Sequence, residues 1–290
     1  MKKDTLHRFI FENMPARGIL VQLNDTWTSL QGRKNYPDPL QRYLGEFVAV
    51  NALLAATLKL EGSLIMQVQG DGPVHLMIME CTSDNHLRGL AKYKESITGE
   101  SLQDLFGDGR LAITIDNQKS GERYQSIVTL EGNSIKLALE SYLKQSEQLD
   151  TVLFLATNKD NACGLLLQKL PGEFDTNEDD WSRITQLAET IKDEELFSLS
   201  AEEIIHRLFN EDDVRLLDSE HYQFKCTCSR ERVSNMLITL GQDEVKDIIK
   251  EQGSIDIDCE FCNEHYRFDE VDSQELFATT FHHPAPKTKH

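Results

Sequence analysis

Four cysteines near the C-terminal end set the tightest limit on how this chain can fold. Cys226-Thr-Cys228 and Cys259-Glu-Phe-Cys262 are two close pairs with 30 residues between them. Thiolates are soft ligands, and four of them complete a closed tetrahedral shell around zinc. The spacer has the content to bring the pairs together. Val233, Met236, Leu237 and Leu240 recur at helical spacing, as do Val245, Ile248 and Ile249. Gly241 separates the two predicted helices, and Gly253 ends the second. SIDIDCEFCNEHYRFD then reads as a strand, a tight knuckle and a returning strand. Cys226, Cys228, Cys259 and Cys262 are therefore the candidate ligands of one zinc ion; the competing reading is four unliganded core cysteines. Cys81 and Cys163 stand alone and read as inert, buried small hydrophobes. His221 and His265 lie nearby but are surplus to a four-thiolate shell.

A closed shell leaves no open position for substrate, which argues against metal-assisted hydrolysis. It also makes the metal a folding element. A module of about sixty residues is marginal on its own core. Structural zinc contributes on the order of 10–16 kcal/mol, against about 5–15 kcal/mol for the stability of a typical domain. Removing the metal should unfold the module, and oxidation is one way to remove it. Metal-bound sulfur is deprotonated, which is the oxidisable form. Two residues span at most about 7 Å, at the edge of the Cα separation of about 4.4–6.8 Å that a disulfide needs. A Cys226–Cys228 disulfide would be strained and readily reduced again, which suits a reversible switch.

The charge distribution marks a second unit. Of the net −19, residues 173–222 hold −12, from 4 basic and 16 acidic residues. Residues 1–172 hold −2 and residues 223–290 hold −5. In 173–222, Trp181, Ile184, Leu187, Ala188 and Ile191 follow helical spacing, as do Ile204, Ile205, Leu208 and Phe209, with Ser200 and Glu203 placed as a capping box. These helices have one apolar face and a crowded acidic one, so their stability must come from packing against a neighbour. The bland reading of the segment is a plain helical connector. Such acidity disfavours nucleic acid as a partner.

Residues 1–172 mix short strand-like runs (6–11, 18–23, 62–70, 73–80, 109–116, 124–132, 152–156 and 164–170) with helical patterns over about 38–60 and 134–147. Strands adjacent in sequence predict largely antiparallel pairing. The fold class is α+β: an N-terminal mixed sheet and helix domain (1–172), an acidic metastable helical linker (173–222) and a small four-cysteine zinc domain (223–281), with 282–290 as a disordered tail. The apolar stretch 47–60 is interrupted by Asn51 and Lys59 and is too short to span a bilayer, so no membrane association is expected. Lys2 and Lys3 are not followed by a continuous apolar run, so the reducing cytoplasm is the expected compartment.

The chain resembles the redox-regulated, zinc-binding 33-kilodalton heat-shock protein family of molecular chaperones. FKCTCSRER (224–232) and CEFCNEHYRF (259–268) carry the resemblance at the C-terminal end. LHRFIFEN, LKLEGSLIMQVQGDGP, GERYQSIVTLEG, YLKQSEQLDT and GLLLQKLP carry it through residues 6–171. It implies an ATP-independent holdase, inactive when reduced and zinc-bound. Oxidation would form the disulfides Cys226–Cys228 and Cys259–Cys262, release zinc, unfold the linker and expose a surface for unfolding client proteins. The activated form would be a cytoplasmic homodimer. Ser126 departs from the family pattern, where glycine is expected, and touches no ligand.

No enzyme motif competes. A P-loop is absent, GDGRLA (107–112) lacks dinucleotide-binding spacing, and the pairs Asp179-Asp180 and Asp212-Asp213 belong to charged helical faces. No catalytic residue is assigned, and the chain is not expected to be an enzyme. The alternative function is a constitutive zinc-ribbon adaptor for RNA or a protein partner, which would bind in the reduced form and ignore oxidant. A thiol–disulfide oxidoreductase using Cys259 and Cys262 would need an accessible low-pKa thiol, which four ligands on one metal oppose.

Overall fold

The protein is described by a computed structural model covering residues 4–58, 60–94, 97, 99–130, 134–171 and 178–280. The expected tail at 282–290 and the first five residues of the expected linker lie outside the described residues. Two compact units meet at Lys225/Cys226.

In the first unit the elements run β1 (Thr5–Phe11), β2 (Ala16–Leu23), α1 (Asp25–Gln31), α2 (Asp38–Thr57), β3 (Gly62–Gln69), β4 (Val74–Thr82), β5 (His86–Tyr93), α3 (Leu102–Phe106), β6 (Arg110–Asn117), β7 (Arg123–Thr129), α4 (Ile135–Ser146), β8 (Thr151–Thr157) and β9 (Ala162–Lys169). They continue as α5 (Glu178–Ala188), α6 (Asp193–Ser198), α7 (Ala201–Phe209), β10 (Val214–Leu216), β11 (Glu220–His221) and β12 (Gln223–Phe224). One sheet has the order β10-β1-β2-β9-β8, with β11 also on β1; the other has the order β12-β5-β4-β3-β6-β7. Pairing is antiparallel except where β12 joins β5 in parallel. The fold is α+β, as the run of adjacent strands implies.

α2 explains why two sheets form. Its sequence is apolar nearly all round, and such a helix has to be covered on every side. It packs on β2, β8 and β9 of one sheet and on β3, β4 and β5 of the other. Gly45 allows the close approach: a Cβ there would lie 2.2 Å from Thr157 Cγ2. Strand β5 escapes sequence periodicity because Arg88 and Lys92 interrupt its apolar run. Inside the sheet Arg88 sits opposite Glu80, and its Nε donates to Glu80 Oε2 at 2.6 Å.

The sheet carrying β9 is apolar on both faces. Ile19, Val21 and Leu166 face the α2 core, while Phe9, Phe11, Leu20, Leu165 and Leu167 face the other way. That second face is covered by the acidic segment: Ile184, Ala188, Leu196, Ile204, Ile205, Leu208 and Phe209 of α5–α7 pack on it. The predicted capping box is present, with Ser200 Oγ accepting from the Glu203 N–H and Glu203 Oε2 accepting from the Ser200 N–H. α6 lies between the two helices that periodicity marks and has too few turns to show a period of its own.

Residues 214–224 then form a strap across the unit. β10 and β11 pair with β1 of one sheet, and β12 pairs with β5 of the other. Between them Tyr222 is 1% exposed and belongs to the α2 core. Glu220 pairs with Arg8 and accepts from Asn85 Nδ2 at 3.3 Å, which ties the strap to both β1 and the β4–β5 turn.

The second unit contains α8 (Arg230–Leu240), α9 (Gln242–Gln252), β13 (Ile255–Asp258), β14 (His265–Phe268) and α10 (Glu270–Thr280). Its small core joins Leu237, Val245, Ile249, Ile255, Phe268 and Phe277. Gly253 closes α9 in the left-handed region at φ +83°, where its lack of a Cβ removes the steric cost.

Candidate metal centre

The local chain builds two short loops, each presenting two sulfurs. Cys226 and Cys228 lie just before α8, whose N-cap Ser229 accepts from the Arg232 N–H. Cys259 and Cys262 sit on the knuckle between β13 and β14. There the Cys259 N–H donates to Glu264 O at 2.9 Å, and the Cys262 and Asn263 N–H groups both turn back to Cys259 O. Asn263 takes the left-handed conformation (φ +60°) that the tight turn needs. The ladder Asp258↔His265, Ile257↔Tyr266 and Ile255↔Phe268 holds the knuckle rigid.

All four sulfurs lie within 4.8 Å of one another, and each cysteine is half-buried. Cys226 Sγ is 3.6 Å from Cys259 Sγ, and Cys228 Sγ is 3.3 Å from Cys262 Sγ. A tetrahedral zinc with bonds of about 2.3 Å separates its sulfurs by about 3.8 Å. The cluster therefore fits such an ion in donor type, number and spacing. Its protonation is uneven. Burial pushes the Cys226 thiol up, but hydrogen bonds, first from the Cys228 N–H and then from the neighbouring sulfurs, outweigh burial and bring it down to about 7. Burial is the largest influence raising Cys228 and Cys262. Four thiolates this close repel one another unless a cation sits among them.

The structure brings together the four cysteines that the spacing singles out. Cys81 and Cys163 stay apart, both buried among apolar neighbours that push their thiols up to about 12. His265 faces away from the sulfurs: its Nδ1 lies 2.7 Å from Asp258 Oδ1 and its Nε2 3.1 Å from Asp256 Oδ1. His221 belongs to the strap strand β11. Sequence reasoning missed Tyr266, whose hydroxyl donates to Cys228 Sγ at 3.2 Å. The only available signal was strand alternation, which places Tyr266 on the same face as Phe268. Ser126 receives a hydrogen bond from the Tyr142 hydroxyl at 3.3 Å, far in sequence from the sulfurs.

The fold and this site define a class: α+β proteins that carry a small C-terminal module organised around four cysteines able to hold a metal. The model of the Hsp33 protein family matches residues 4–269. The 33 kDa chaperonin of Methylobacillus flagellatus is 48% identical over 289 residues, 99% of each chain. That of Nitrosococcus oceani is 43% identical over 288 residues, again 99% of each. The crystal structure of a 33 kDa chaperonin (heat shock protein 33 homologue) from Thermotoga maritima shares the fold with a TM-score of 0.80 at 21% identity, covering 95% of this chain and 99% of that one. The chain belongs to the Hsp33 family. Among the described residues no helix is long and apolar enough to cross a membrane.

Proposed function

We propose that this protein is a redox-regulated, ATP-independent holdase chaperone of the cytoplasm. In the reduced state Cys226, Cys228, Cys259 and Cys262 would hold one zinc ion. Bound zinc would supply a tetrahedral crosslink between the C-x-C and C-x-x-C loops. The observation that carries the reading is the convergence of all four sulfurs within 4.8 Å in a chain of the Hsp33 family.

Oxidation by a peroxide converts two thiolates into one disulfide and the peroxide into two hydroxide ions. Two such steps would consume the ligand set. The resemblance to the family implies that the disulfides are Cys226–Cys228 and Cys259–Cys262. Among the described residues the module's core has six buried side chains, and it would not hold without its crosslink. The strap at 214–224 ends where the module begins, so unfolding would proceed toward α5–α7. Release of those helices would uncover Phe9, Phe11, Leu20, Leu165 and Leu167, a contiguous apolar face of the kind that binds non-native protein. The net charge of −19 keeps an opened form soluble. The opened form would work as a homodimer.

The test measures zinc release and suppression of client light scattering on the same sample treated with hydrogen peroxide and mild heat. Both are expected to rise together and to reverse with dithiothreitol. Full metal loss with no protection of an unfolding client would refute the holdase reading. Protection that is equal in the reduced, metal-bound protein would refute its redox control.

A further inference from the structure

Strand alternation on β14 sends His265 and Arg267 outward, beside Asp256 and Asp258, and sends Tyr266 and Phe268 inward. Phe268 enters the core, and the partly buried Tyr266 packs beside it. The Tyr266 hydroxyl then reaches the sulfur cluster and donates to Cys228 Sγ at 3.2 Å. Cys226 and Cys262 take hydrogen bonds from the main-chain N–H groups of Cys228 and Glu264. Main-chain donors are the same whatever the side chains. The phenol on Cys228 is a donor that the sequence can add or remove.

We propose that Tyr266 is a positioning residue of the redox switch: its O–H draws charge from Cys228 Sγ and slows that sulfur's reaction with oxidant. The inference rests on the redox reading above. In the reaction a sulfur lone pair attacks one oxygen of hydrogen peroxide and the O–O bond breaks. A sulfenate forms and water carries off the second oxygen with its proton. The sulfenate oxygen takes a proton from water, and a second thiolate then attacks the sulfenic sulfur and displaces hydroxide, leaving a disulfide. The two sulfurs lose two electrons and the peroxide gains them. A hydrogen bond to a charged sulfur is strongest while the charge is still there. In the transition state part of that charge has moved to oxygen, so part of the bond is lost and the barrier is higher. Losing a third to a half of one charge-assisted bond corresponds to about three- to tenfold in rate.

The experiment compares the wild-type full chain with Tyr266→Phe, each loaded with zinc and exposed to hydrogen peroxide, with metal release and thiol loss followed in time. The variant is expected to release metal about three- to tenfold faster. With cobalt(II) in place of zinc, its sulfur-to-metal charge-transfer band is expected to move to longer wavelength, because a sulfur without the hydrogen bond gives up charge more easily. A rate and band equal to wild type would overturn the role of Tyr266 while wild-type release leaves the redox reading standing. Faster release with an unmoved band would mark general loosening and would also overturn it. A wild-type chain that keeps its metal under peroxide would overturn the redox reading itself. If Tyr266→Phe fails to hold metal, 3-fluorotyrosine at 266 keeps the ring and strengthens the donor; slower oxidation is then expected, and an unchanged or faster rate overturns the proposal.

Discussion

Tyr222 is the point at which the strap should fail first. Its ring is 1% exposed in the α2 core, while the strands flanking it are short: three residues in β10 and two each in β11 and β12. Truncating a buried aromatic side chain costs about 3–5 kcal/mol. The strap–sheet hydrogen bonds around it net only about 0.5–1.5 kcal/mol each. Tyr222→Ala should therefore remove the largest single contribution to holding 214–224 down and leave the two sheets standing. Hydrogen exchange measures this directly. The N–H groups of Leu217, Tyr222 and Lys225 donate to Arg8, Asp4 and Leu87 across the strap. Their protection should fall by about 10²–10³ or more, the factor that 3–5 kcal/mol implies, while amides in β3 and β9 change far less. On the proposed function, reduced Tyr222→Ala should also suppress client aggregation without peroxide. A uniform loss of protection through both sheets would refute the reasoning, since Tyr222 would then be an ordinary core residue and not the anchor of a separable strap.

Glu46 on α2 offers a pH test. Burial, opposed by Arg42 and reinforced by Asp193 at the start of α6, raises its carboxyl to about 7. A raised folded pKa means that the fold favours the protonated form, so its contribution is complete below about 4.5 and is lost as pH rises through about 7. Glu46→Gln should leave thermal stability nearly unchanged at low pH and raise it relative to wild type above neutrality; a stability difference independent of pH would contradict this. Asn51 is fully buried in α2 with neither side-chain polar atom hydrogen-bonded. An unmatched buried amide costs about 1–3 kcal/mol, so Asn51→Leu, of similar volume, should raise the melting temperature by several degrees in a calorimetric scan.

Apolar periodicity and turn chemistry located most of the elements. The strands from 6–11 to 164–170, the central helix, the capping box at Ser200 and the strand–knuckle–strand at 255–268 each declare themselves through apolar spacing or turn chemistry. β5 did not, because Arg88 is neutralised by Glu80 on the next strand, a partner eight residues away that alternation cannot reveal. The strap did not either. Strands of two or three residues have no period, and β11 and β12 exist only because β1 and β5 offer open edges.

For the sulfur site the division is sharper. Two cysteine pairs separated by two short helices already single out Cys226, Cys228, Cys259 and Cys262 as candidate ligands, because soft thiolates at that spacing have few other uses. What covers the second face of the β9 sheet was beyond the sequence: an amphipathic acidic segment shows that it needs a partner but not which one, since apolar contact is non-directional. Tyr266 was equally out of reach. Alternation says which way its ring points, but only the paired strands of the knuckle bring its hydroxyl within 3.2 Å of Cys228.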